Sequence, residues 1–402
     1  EWEKKEFWDL YDFINTNSLS RAKLEYWVDG IKNIHYWDIH TKLNNNFDSK
    51  NQELPTIQNE FLPNNIEDYF CKVWDLVIAD ASEDYEYIWR SIEIINLWND
   101  KIVWWLHTFL ARPKIKLWLG FFSSYMKNQK LHKKIKIIAN GAKVLWISKI
   151  NLSKISLYIP KLPEQQKIAD FLSLVDEKIE YLEEEKKSLE EYKKWMMQKI
   201  FSQEVRFTDE NGESFGEWEE KRLGNSYEIV VWWTPSTSNK SFWNGNIPWL
   251  SSWEINHKFI NWTKKYITEL GLAKSAAKMM PIWTVLLAMT WATLWKIWFL
   301  NIESTWNQSV AWFVPNKSNA PKFLFYALEF YKNLILSFWA WAAQPWVNKS
   351  TIENMIFDFP TLPEQQKIAD FLSGLDDKIE SVENEIDGTK EWKKGLLQGL
   401  FF

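Results

Sequence analysis

Two long segments of this chain are near copies of each other, and they constrain how everything else can be arranged. Residues 162–201 and residues 362–401 align without a gap at an offset of 200, and both begin Leu-Pro-Glu-Gln-Gln-Lys-Ile-Ala. Each copy follows a longer stretch that opens alike, with Glu-Trp-Glu at residues 1–3 and 217–219. A repeat of this length indicates that one plan, a globular module followed by a long helix, is used twice.

Apolar residues in the two copies are spaced alternately four and three residues apart, which is the a/d pattern of a coiled coil. The first copy carries Ile168, Leu172, Val175, Ile179, Leu182, Leu189, Met196 and Ile200, and the second Ile368, Leu372, Leu375, Ile379, Val382, Ile386, Leu396 and Leu400. The pattern is interrupted at Lys186, Lys193, Thr389 and Lys393. We predict two helices, about 163–203 and 363–400, each roughly 60 Å long, packed antiparallel. Taken alone, the pattern also fits a helical hairpin serving as an oligomerisation arm.

The repeat and the length of 402 residues predict two domains with helical connectors. The expected fold class is α/β (α+β), with two recognition modules separated by two long antiparallel coiled-coil helices in a pseudo-twofold internal repeat. The predicted boundaries are 1–160 for module one, 161–206 for the first helix, 207–361 for module two and 362–402 for the second helix.

Cysteine usage and hydropathy indicate a cytoplasmic location. The single cysteine, Cys71, excludes an intramolecular disulfide and fits a reducing compartment. No apolar run reaches the length that spans a bilayer, and the charged opening does not resemble a signal peptide. We therefore expect no membrane contact.

Tryptophan is unusually frequent in this chain and glycine unusually rare. Trp occurs 29 times and Gly 12 times, whereas Gly ordinarily makes up about 7% of residues. Within the repeat the two residues exchange in both directions, as Trp195 with Gly395, Trp8 with Gly224, and Trp341 with Gly141. Trp also stands in segments 232–235, 290–293 and 344–347, where the context favours a turn residue that tolerates positive φ.

These exchanges lead us to predict that a codon read as glycine in the source, with UGA as the candidate, was translated here as tryptophan. Trp2 and Trp218 mirror each other at the two module starts, so we expect both to be genuine. The alternative is a protein that is truly rich in Trp and forms aromatic clusters.

The charge of the chain is unevenly distributed. The net charge of −5 is not typical of a nucleic-acid binder, but Lys101 to Pro163 contains twelve Lys, one Arg and no acidic residue. The two helices carry an acidic excess. A basic block next to acidic helices favours one face for phosphates and another for protein partners. The same lysines could also form an ordinary solvated surface.

No catalytic motif is recognisable. Residues 291–297 come nearest to a phosphate-binding loop, but even with both Trp taken as Gly the spacing is wrong and Ile297 replaces the required Ser or Thr. The five His are scattered without metal-ligand spacing, and Cys71 has no obvious base. The chain is interpreted as non-catalytic, with no metal.

The repeated Leu-Pro-Glu-Gln-Gln-Lys-Ile-Ala before a heptad helix, with Glu-Trp-Glu before each module, resembles the specificity subunit of type I restriction–modification systems. Residues 232–236 correspond to the family's Gly-Gly-Thr-Pro-Ser loop and residues 344–346 to its Gln-Pro-Gly segment, with Trp in place of Gly. The resemblance covers nearly the full chain. Module one departs from it, because Val-Leu-Trp at 144–146 stands where Gln-Pro-Trp stands at 344–346.

The resemblance implies a two-part reader of double-stranded DNA. Each target-recognition domain would bind one half of a split, asymmetric site, and the paired helices would fix the distance between the halves. The helices would also dock two methyltransferase subunits, with restriction motor-nuclease subunits joining later. Catalysis, S-adenosylmethionine, ATP and magnesium would belong to those partners, and this chain would hold no cofactor.

Two alternatives remain open at this point. The first is a specificity subunit that pairs with a fused restriction–methylation enzyme, which would share every feature described so far. The second is a coiled-coil adaptor that does not bind DNA. A separate methyltransferase gene beside this one would argue against the first, and sequence-selective DNA binding would argue against the second.

Candidate contact residues follow from this comparison and from the polar and basic residues around the predicted loops. The predicted DNA contacts are Lys130, Lys133, Lys134 and Lys136 in module one, and Thr234, Ser236, Ser238, Lys240, Thr290, Thr293, Lys296, Gln344 and Asn348 in module two. Lys suits phosphates, and short polar side chains suit base edges. Phe171 and Phe371 recur outside the apolar seam, which predicts contacts with two equivalent methyltransferase subunits. Turn capping, solvation and core packing are the alternative roles of these residues.

Overall fold

The computed structural model describes residues 2–14, 21–62, 64–82, 89–104, 107–139, 141, 145–231, 236–250, 258–275, 277–289, 296–306, 310–339 and 348–401. The chain divides into two compact units. The first unit comprises Glu1–Glu183 and Asn384–Phe402, and the second Glu184–Glu383. This division runs through both long helices, so the boundaries at 160, 206 and 361 stay predictions.

The first module contains a series of short strands and helices. Its strands are β1 (Glu3–Glu6), β2 (Tyr11–Ile14), β3 (Leu24–Glu25), β4 (Lys32–Ile34), β5 (Asn46–Asp48), β6 (Thr56–Ile57), β7 (Leu76–Ala79), β8 (Ala81–Ser82), β9 (Ser91–Asn96), β10 (Ile102–Trp104), β11 (Thr108–Pro113), β12 (Leu145–Trp146) and β13 (Ser156–Ile159). Its helices are α1 (Phe7–Leu10), α2 (Tyr36–Thr41), α3 (Phe121–Tyr125), α4 (Gln129–Ile138) and α5 (Lys149–Ser153), with 3₁₀ turns at Arg21–Lys23, Asn59–Phe61 and Ile66–Tyr69. The long helix α6 (Leu162–Phe201) follows.

The second module repeats this arrangement with its own loops. Its strands are β14 (Glu219–Arg222), β15 (Ile229–Val230), β16 (Trp243–Leu250), β17 (Phe259–Ile260), β18 (Lys265–Ile267), β19 (Val285–Ala288), β20 (Ile297–Leu300), β21 (Thr305–Trp306), β22 (Val310–Phe313) and β23 (Ile356–Phe359). Its helices are α7 (Leu223–Ser226), α8 (Glu269–Ala273), α9 (Pro321–Trp339) and α10 (Lys349–Glu353), with a 3₁₀ turn at Lys240–Phe242. The second long helix is α11 (Leu362–Leu400).

Each module is built around a five-stranded sheet, and the two sheets have the same topology. The strand order is β2-β11-β7-β9-β5 in the first and β15-β22-β19-β20-β17 in the second. In both, the first four strands pair antiparallel and the last pairs parallel with its neighbour. The central strands β7 and β19 are buried along their whole length, as expected where both faces of a sheet are covered. The repeat therefore extends to the fold of the modules.

A two-stranded ribbon ties the start of each module to its end. Strand β1 pairs antiparallel with β13, and β14 pairs in the same way with β23. The recurring Glu-Trp-Glu thus lies beside the segment that leads into the long helix. Trp2 donates its indole N–H to Glu164 at 2.9 Å and packs edge-on against Phe401, which gives this tryptophan a structural role in the first unit.

A buried glutamine explains part of the repeated Leu-Pro-Glu-Gln-Gln motif. In the first unit Gln165 donates to the Pro160 carbonyl at 2.8 Å and accepts from the Trp118 backbone N–H at 2.9 Å. In the second unit Gln365 makes the same pair of bonds, to the Pro360 carbonyl at 2.9 Å and from the Ala320 N–H at 3.0 Å. Because buried backbone N–H and carbonyl groups need hydrogen-bond partners, the buried glutamine fastens each long helix to its module.

The two long helices run antiparallel within each unit, as predicted. In the first unit Lys178 lies 2.8 Å from Glu385, Lys390 lies 2.6 Å from Glu183, and Lys393 pairs with Asp176. In the second unit Lys186 lies 2.7 Å from Glu383 and Lys193 lies 2.6 Å from Asp376. From Asp176 to Glu183 the partner changes from Lys393 to Lys390, and from Lys186 to Lys193 it changes from Glu383 to Asp376. A partner number that falls as the residue number rises indicates antiparallel packing. The α/β fold with two long antiparallel helices is therefore confirmed.

Most of the predicted apolar seam is buried, with an exception near the end of α11. The buried members are Ile168, Leu172, Val175, Ile179, Leu182, Met196, Ile200, Ile368, Leu372, Val382 and Ile386, whereas Leu189, Leu375, Ile379, Leu396 and Leu400 are half-buried. At the end of α11 the fully buried residues are Leu397 and Phe401. They join the core of the first module, where Phe401 packs on Tyr125 at 4.8 Å between ring centroids. At this end of α11 the side chains buried against the module therefore lie on a different face of the helix from the predicted a/d residues.

Helix α6 ends two residues earlier than expected. Gln203 adopts the left-handed conformation with φ of 61°, and its N–H donates to the Ile200 carbonyl at 3.0 Å. This is the geometry that commonly closes a helix, usually with glycine at the left-handed position. Because glutamine stands there instead, the sequence carried no signal for the stop.

The backbone supports the exchange of tryptophan for glycine. Among the described residues, five of the nine non-glycine residues with positive φ are tryptophan: Trp27, Trp74, Trp89, Trp98 and Trp283. A bulky side chain rarely adopts this conformation, whereas glycine does so without penalty. Trp27 is 88% exposed, so burial of its indole does not explain the conformation. Trp195 lies exposed on α6, and positions 232, 233, 291, 341 and 346 lie outside the described residues.

Candidate nucleic-acid interface

Helix α4 carries the four lysines predicted to contact phosphate. The Asn128 side-chain oxygen caps the helix by accepting from the N–H groups of Lys130 at 2.9 Å and Leu131 at 3.1 Å. Leu131 and Ile135 turn into the core of module one. The opposite face is exposed and carries Lys130, Lys133 and Lys134, spaced so that all three lie side by side. Lys136 is half-buried and stands apart from them.

The position of this helix is fixed by the same asparagine. Asn128 is 1% exposed, and its side-chain N–H groups donate to the Leu397 carbonyl at 2.8 Å and the Phe401 carbonyl at 3.4 Å. One buried side chain therefore joins the first turn of α4 to the last turn of α11, where carbonyls lack partners within their own helix. The three exposed lysines are consequently held on a rigid support.

In module two, the predicted loop residues that the structure describes are all exposed. The hydroxyls of Ser236 and Ser238 lie 2.8 Å apart, and the Trp243 indole N–H donates to the Ser236 carbonyl at 3.1 Å. Lys240 begins the 3₁₀ turn that Asn239 caps. These contacts are local, so the hydroxyls remain accessible to a ligand.

The remaining predicted residues of module two fall into three groups. Lys296 is exposed immediately before β20. Asn348 caps α10, because its side-chain oxygen accepts from the Thr351 N–H at 2.9 Å and the Thr351 hydroxyl at 3.0 Å. Ser148 caps α5 at the corresponding position of module one, so capping is a repeated role here. Thr234, Thr290, Thr293 and Gln344 lie outside the described residues.

The two phenylalanines predicted to contact partner proteins have different surroundings. Phe171 is 40% exposed, and its ring meets Trp392 edge-on at 5.9 Å. Phe371 is half-buried against the core of the second unit, with the Phe207 ring 5.7 Å away. Of these two phenylalanines, Phe171 is therefore the one with an open aromatic face.

The second unit contains a buried network of charged side chains that the sequence analysis did not predict. Lys193 interrupts the apolar seam, and its ammonium lies 2.6 Å from both carboxylate oxygens of Asp376 and 3.8 Å from Glu329. Tyr326 donates to the same aspartate at 2.7 Å, and Lys258 lies 2.6 Å from Glu329. The sequence did hold a signal, because Lys193 and Asp376 recur at the offset of 200 as Lys393 and Asp176.

Burial shifts the pKa values of two titratable side chains of module one. Burial lowers the pKa of His35 to about 4, with Arg21 adding to the effect, so this imidazole is neutral at physiological pH. Burial, followed by the charge of Asp75, raises the pKa of the Cys71 thiol well above its usual value. Within the described part of the chain, no group of His, Cys, Asp or Glu residues could hold a metal ion. In the same part, no helix is long and apolar enough to cross a membrane.

Comparison with known proteins identifies a protein family that this chain matches. The family described as type I restriction modification DNA specificity domain matches residues 1–191 and 216–389. The MjaIX type I restriction enzyme specificity subunit of Methanocaldococcus jannaschii is 28% identical over 181 residues, covering 42% of this chain and 41% of that protein. The EcoR124I/EcoR124II specificity subunit of Escherichia coli is 26% identical over 262 residues, covering 60% of this chain and 59% of that protein. Both matches therefore span well under two thirds of those relatives.

Two further similarities extend over the whole chain. The putative MjaX specificity subunit of Methanocaldococcus jannaschii is 24% identical over 417 residues, covering 100% of this chain and 92% of that protein. A crystal structure described as the S subunit of a type I restriction-modification system from M. genitalium superimposes with a TM-score of 0.60 at 14% identity. That comparison covers 100% of this chain and 96% of the other, so the fold is shared along its full length.

Proposed function

This chain belongs to the family of type I restriction modification DNA specificity domains, and from that membership we propose that it is the DNA-reading specificity subunit of a type I restriction–modification complex. The observation that carries the proposal is that the family match covers both copies of the repeat, residues 1–191 and 216–389. One reader of a split site needs two recognition modules, and the chain has two sheets of the same topology.

Each module reads one half of a bipartite, asymmetric site in double-stranded DNA. The exposed lysines of α4 contact phosphates and set the position of module one, while Ser236 and Ser238 reach base edges from module two. Thr234, Thr290, Thr293 and Gln344 belong to the same proposal. A change at Gln344 or Thr293 should alter preference at one half-site only.

The chain itself is non-catalytic in this proposal and works in the cytoplasm. Two methyltransferase subunits dock on the long helices, and restriction motor-nuclease subunits complete the assembly. S-adenosylmethionine, ATP and magnesium are bound by those partners. A fused restriction–methylation partner would use the same surfaces, whereas a coiled-coil adaptor with no DNA ligand leaves the exposed lysine face of α4 without a role.

Neutralising the lysine face of α4 is expected to weaken binding to all DNA sequences alike. In the complex with the methyltransferase, changing Lys130, Lys133 and Lys134 to glutamine should reduce the slope of log K against log[salt] by up to about 3, since each phosphate contact contributes about 0.9. The matched control changes Lys187, Lys194 and Lys378, three exposed lysines of the long helices, and should leave the slope unaltered. Fluorescence anisotropy over a salt series measures both. An unchanged slope in the α4 variant would exclude this face.

The duplicated phenylalanines are expected to hold the methyltransferase subunits. Phe171→Asp should reduce the number of co-purified methyltransferase subunits from two to one, and the double change with Phe371→Asp should abolish co-purification. Because Phe371 is half-buried, circular dichroism must show that the double variant is folded. Tyr181→Asp is the control, since Tyr181 is 63% exposed on the same helix and Ser381 stands at its duplicate position. A two-to-one complex that survives the Phe171 change would contradict the assignment.

A further inference from the structure

The two copies of the buried Lys–Asp pair sit in different electrostatic environments. In the second unit, Lys193 and Lys258 face Asp376 and Glu329, so two ammonium groups meet two carboxylates. In the first unit, Lys393 pairs with Asp176, and the next charged side chain is again a lysine, Lys127. Among these three side chains of the first unit, positive charge therefore exceeds negative charge, and Arg90 adds to the positive side.

Lys127 occupies the position that Glu329 holds in the other unit. The Gln165 bond to the Trp118 N–H and the Gln365 bond to the Ala320 N–H align the two modules at an offset of 202. That offset places residue 127 opposite residue 329. At this position of the repeat, the second unit has a glutamate, whose negative charge faces Lys193. The first unit has a lysine instead, which adds positive charge beside Lys393.

Among the residues that the structure describes, Lys127 lies near the carboxylate of Asp176, which Lys393 already pairs with. Among the described residues it forms no ion pair within 4.0 Å, whereas its neighbours Lys390 and Lys394 lie 2.6 Å from Glu183 and 3.4 Å from Glu391. Burial and then the charge of Lys393 lower the pKa of Lys127 to about 8. An anion placed beside Lys127 would therefore stabilise its protonated form.

A cavity of about 320 Å³ lies at this group of residues. Its lining residues are Lys127, Gln129, Asp176, Ile179, Lys390, Lys393, Lys394, Leu397 and Gln398. Four ammonium groups and two side-chain amides supply donors, and one carboxylate, already paired, supplies acceptors. The volume lies at the lower end of the range for small-molecule sites, roughly 300–1,000 Å³.

We propose that this cavity of the first unit binds the phosphate group of a small molecule, with Lys127 as its central ligand. A phosphate offers several acceptor oxygens and about two negative charges, and lysine binds it as a point charge. The site lies among α6, α11 and the turn before α4, and it is separate from the exposed lysine face. Free inorganic phosphate and the phosphate tail of a nucleotide share this chemistry.

The test uses the full chain, titrated calorimetrically with inorganic phosphate and with ATP at constant ionic strength. Saturable binding of one equivalent of either ligand is expected, and the ligand that binds identifies the source. Lys127→Met should weaken that binding at least tenfold and raise the melting temperature of the ligand-free protein, because an unbalanced buried charge is removed. Lys127→Glu should also weaken the binding at least tenfold, because it places a carboxylate, the group that Glu329 supplies in the second unit, beside the site of the phosphate. Lys154→Met, an exposed lysine of the same module, should change neither.

Four results would overturn the proposal. The first is the absence of saturable binding of both ligands. The second is binding that persists in Lys127→Met and Lys127→Glu. The third is displacement of the bound phosphate by a short non-specific DNA duplex, which would assign the cavity to the DNA-binding surface instead. A melting temperature that falls in both Lys127 variants would likewise show that the lysine is a stabilising structural residue.

Discussion

Replacing Trp27, Trp74, Trp98 and Trp283 together by glycine is expected to stabilise the protein by about 3 kcal/mol. Their φ angles of 68°, 73°, 50° and 67° lie in the left-handed region, which costs an L-residue roughly 1–2 kcal/mol and glycine almost nothing. Glycine loses more backbone entropy on folding, by about 0.5–1 kcal/mol, so the net gain is about 0.75 kcal/mol per site. The four indoles are 44% to 88% exposed, so little apolar burial is lost with them. Trp98 also gives up its indole N–H bond to Asp48 at 2.8 Å and its contact with Lys50, which makes its gain the smallest of the four.

Differential scanning calorimetry of the four-glycine variant measures this gain as a rise in melting temperature. Trp2→Gly provides the opposite expectation, since Trp2 donates to Glu164 and packs against Phe401. It should lower the melting temperature. A four-glycine variant that melts below the parent would show that these indoles are native, and UGG codons at positions 195, 291 and 341 would do the same at the level of the gene.

Lys193→Met is expected to destabilise the second unit by about 3–5 kcal/mol. The change removes the ammonium that lies 2.6 Å from Asp376 and leaves that carboxylate buried without its counter-charge. Adding Asp376→Leu should restore most of the loss, because well-packed apolar residues often replace a buried ion pair without penalty. Lys186→Met is the matched control at the other interrupted seam position. Its partner Glu383 is exposed at 54%, so the effect should stay below about 1 kcal/mol.

Urea unfolding followed by far-ultraviolet circular dichroism separates these cases. The predicted order of stability is parent and Lys186→Met highest, the double variant close behind, and Lys193→Met lowest. If Lys193→Met were as stable as Lys186→Met, the buried network would not hold the long helices in register.

The long helices were predictable because their evidence is local and periodic. A gapless repeat and a four-three spacing placed α6 and α11 within two residues of their observed ends. The end of α6 before Gln203 was not predicted, because the left-handed position there is occupied by glutamine and not by glycine, the residue that usually marks a helix end. Leu397 and Phe401 were missed because the module, and not the partner helix, decides which face is buried at that end.

The sheets and the contact residues were harder to predict from the sequence. The order of five strands depends on pairings between residues far apart in the chain, which no periodicity encodes. The lysines of α4 were proposed because the segment from Lys101 to Pro163 contains no acidic residue. Three of the four lysines do share an exposed face of the helix. Asn348 illustrates the limit of residue type as evidence, because the same amide that could read a base caps a helix here. Lys127 shows the reverse, since only its comparison with Glu329 distinguishes it from other lysines.

The most direct test of the central claim is the pattern of DNA methylation that this chain directs. Co-expressed with its methyltransferase in a host that lacks other methylation, it should produce methylated bases at one split, asymmetric sequence. Exchanging residues 207–361 for the second module of another specificity subunit should change one half of that sequence and leave the other half and the methyltransferase unchanged. Methylation at no defined sequence, or a change in both halves after the exchange, would contradict the account.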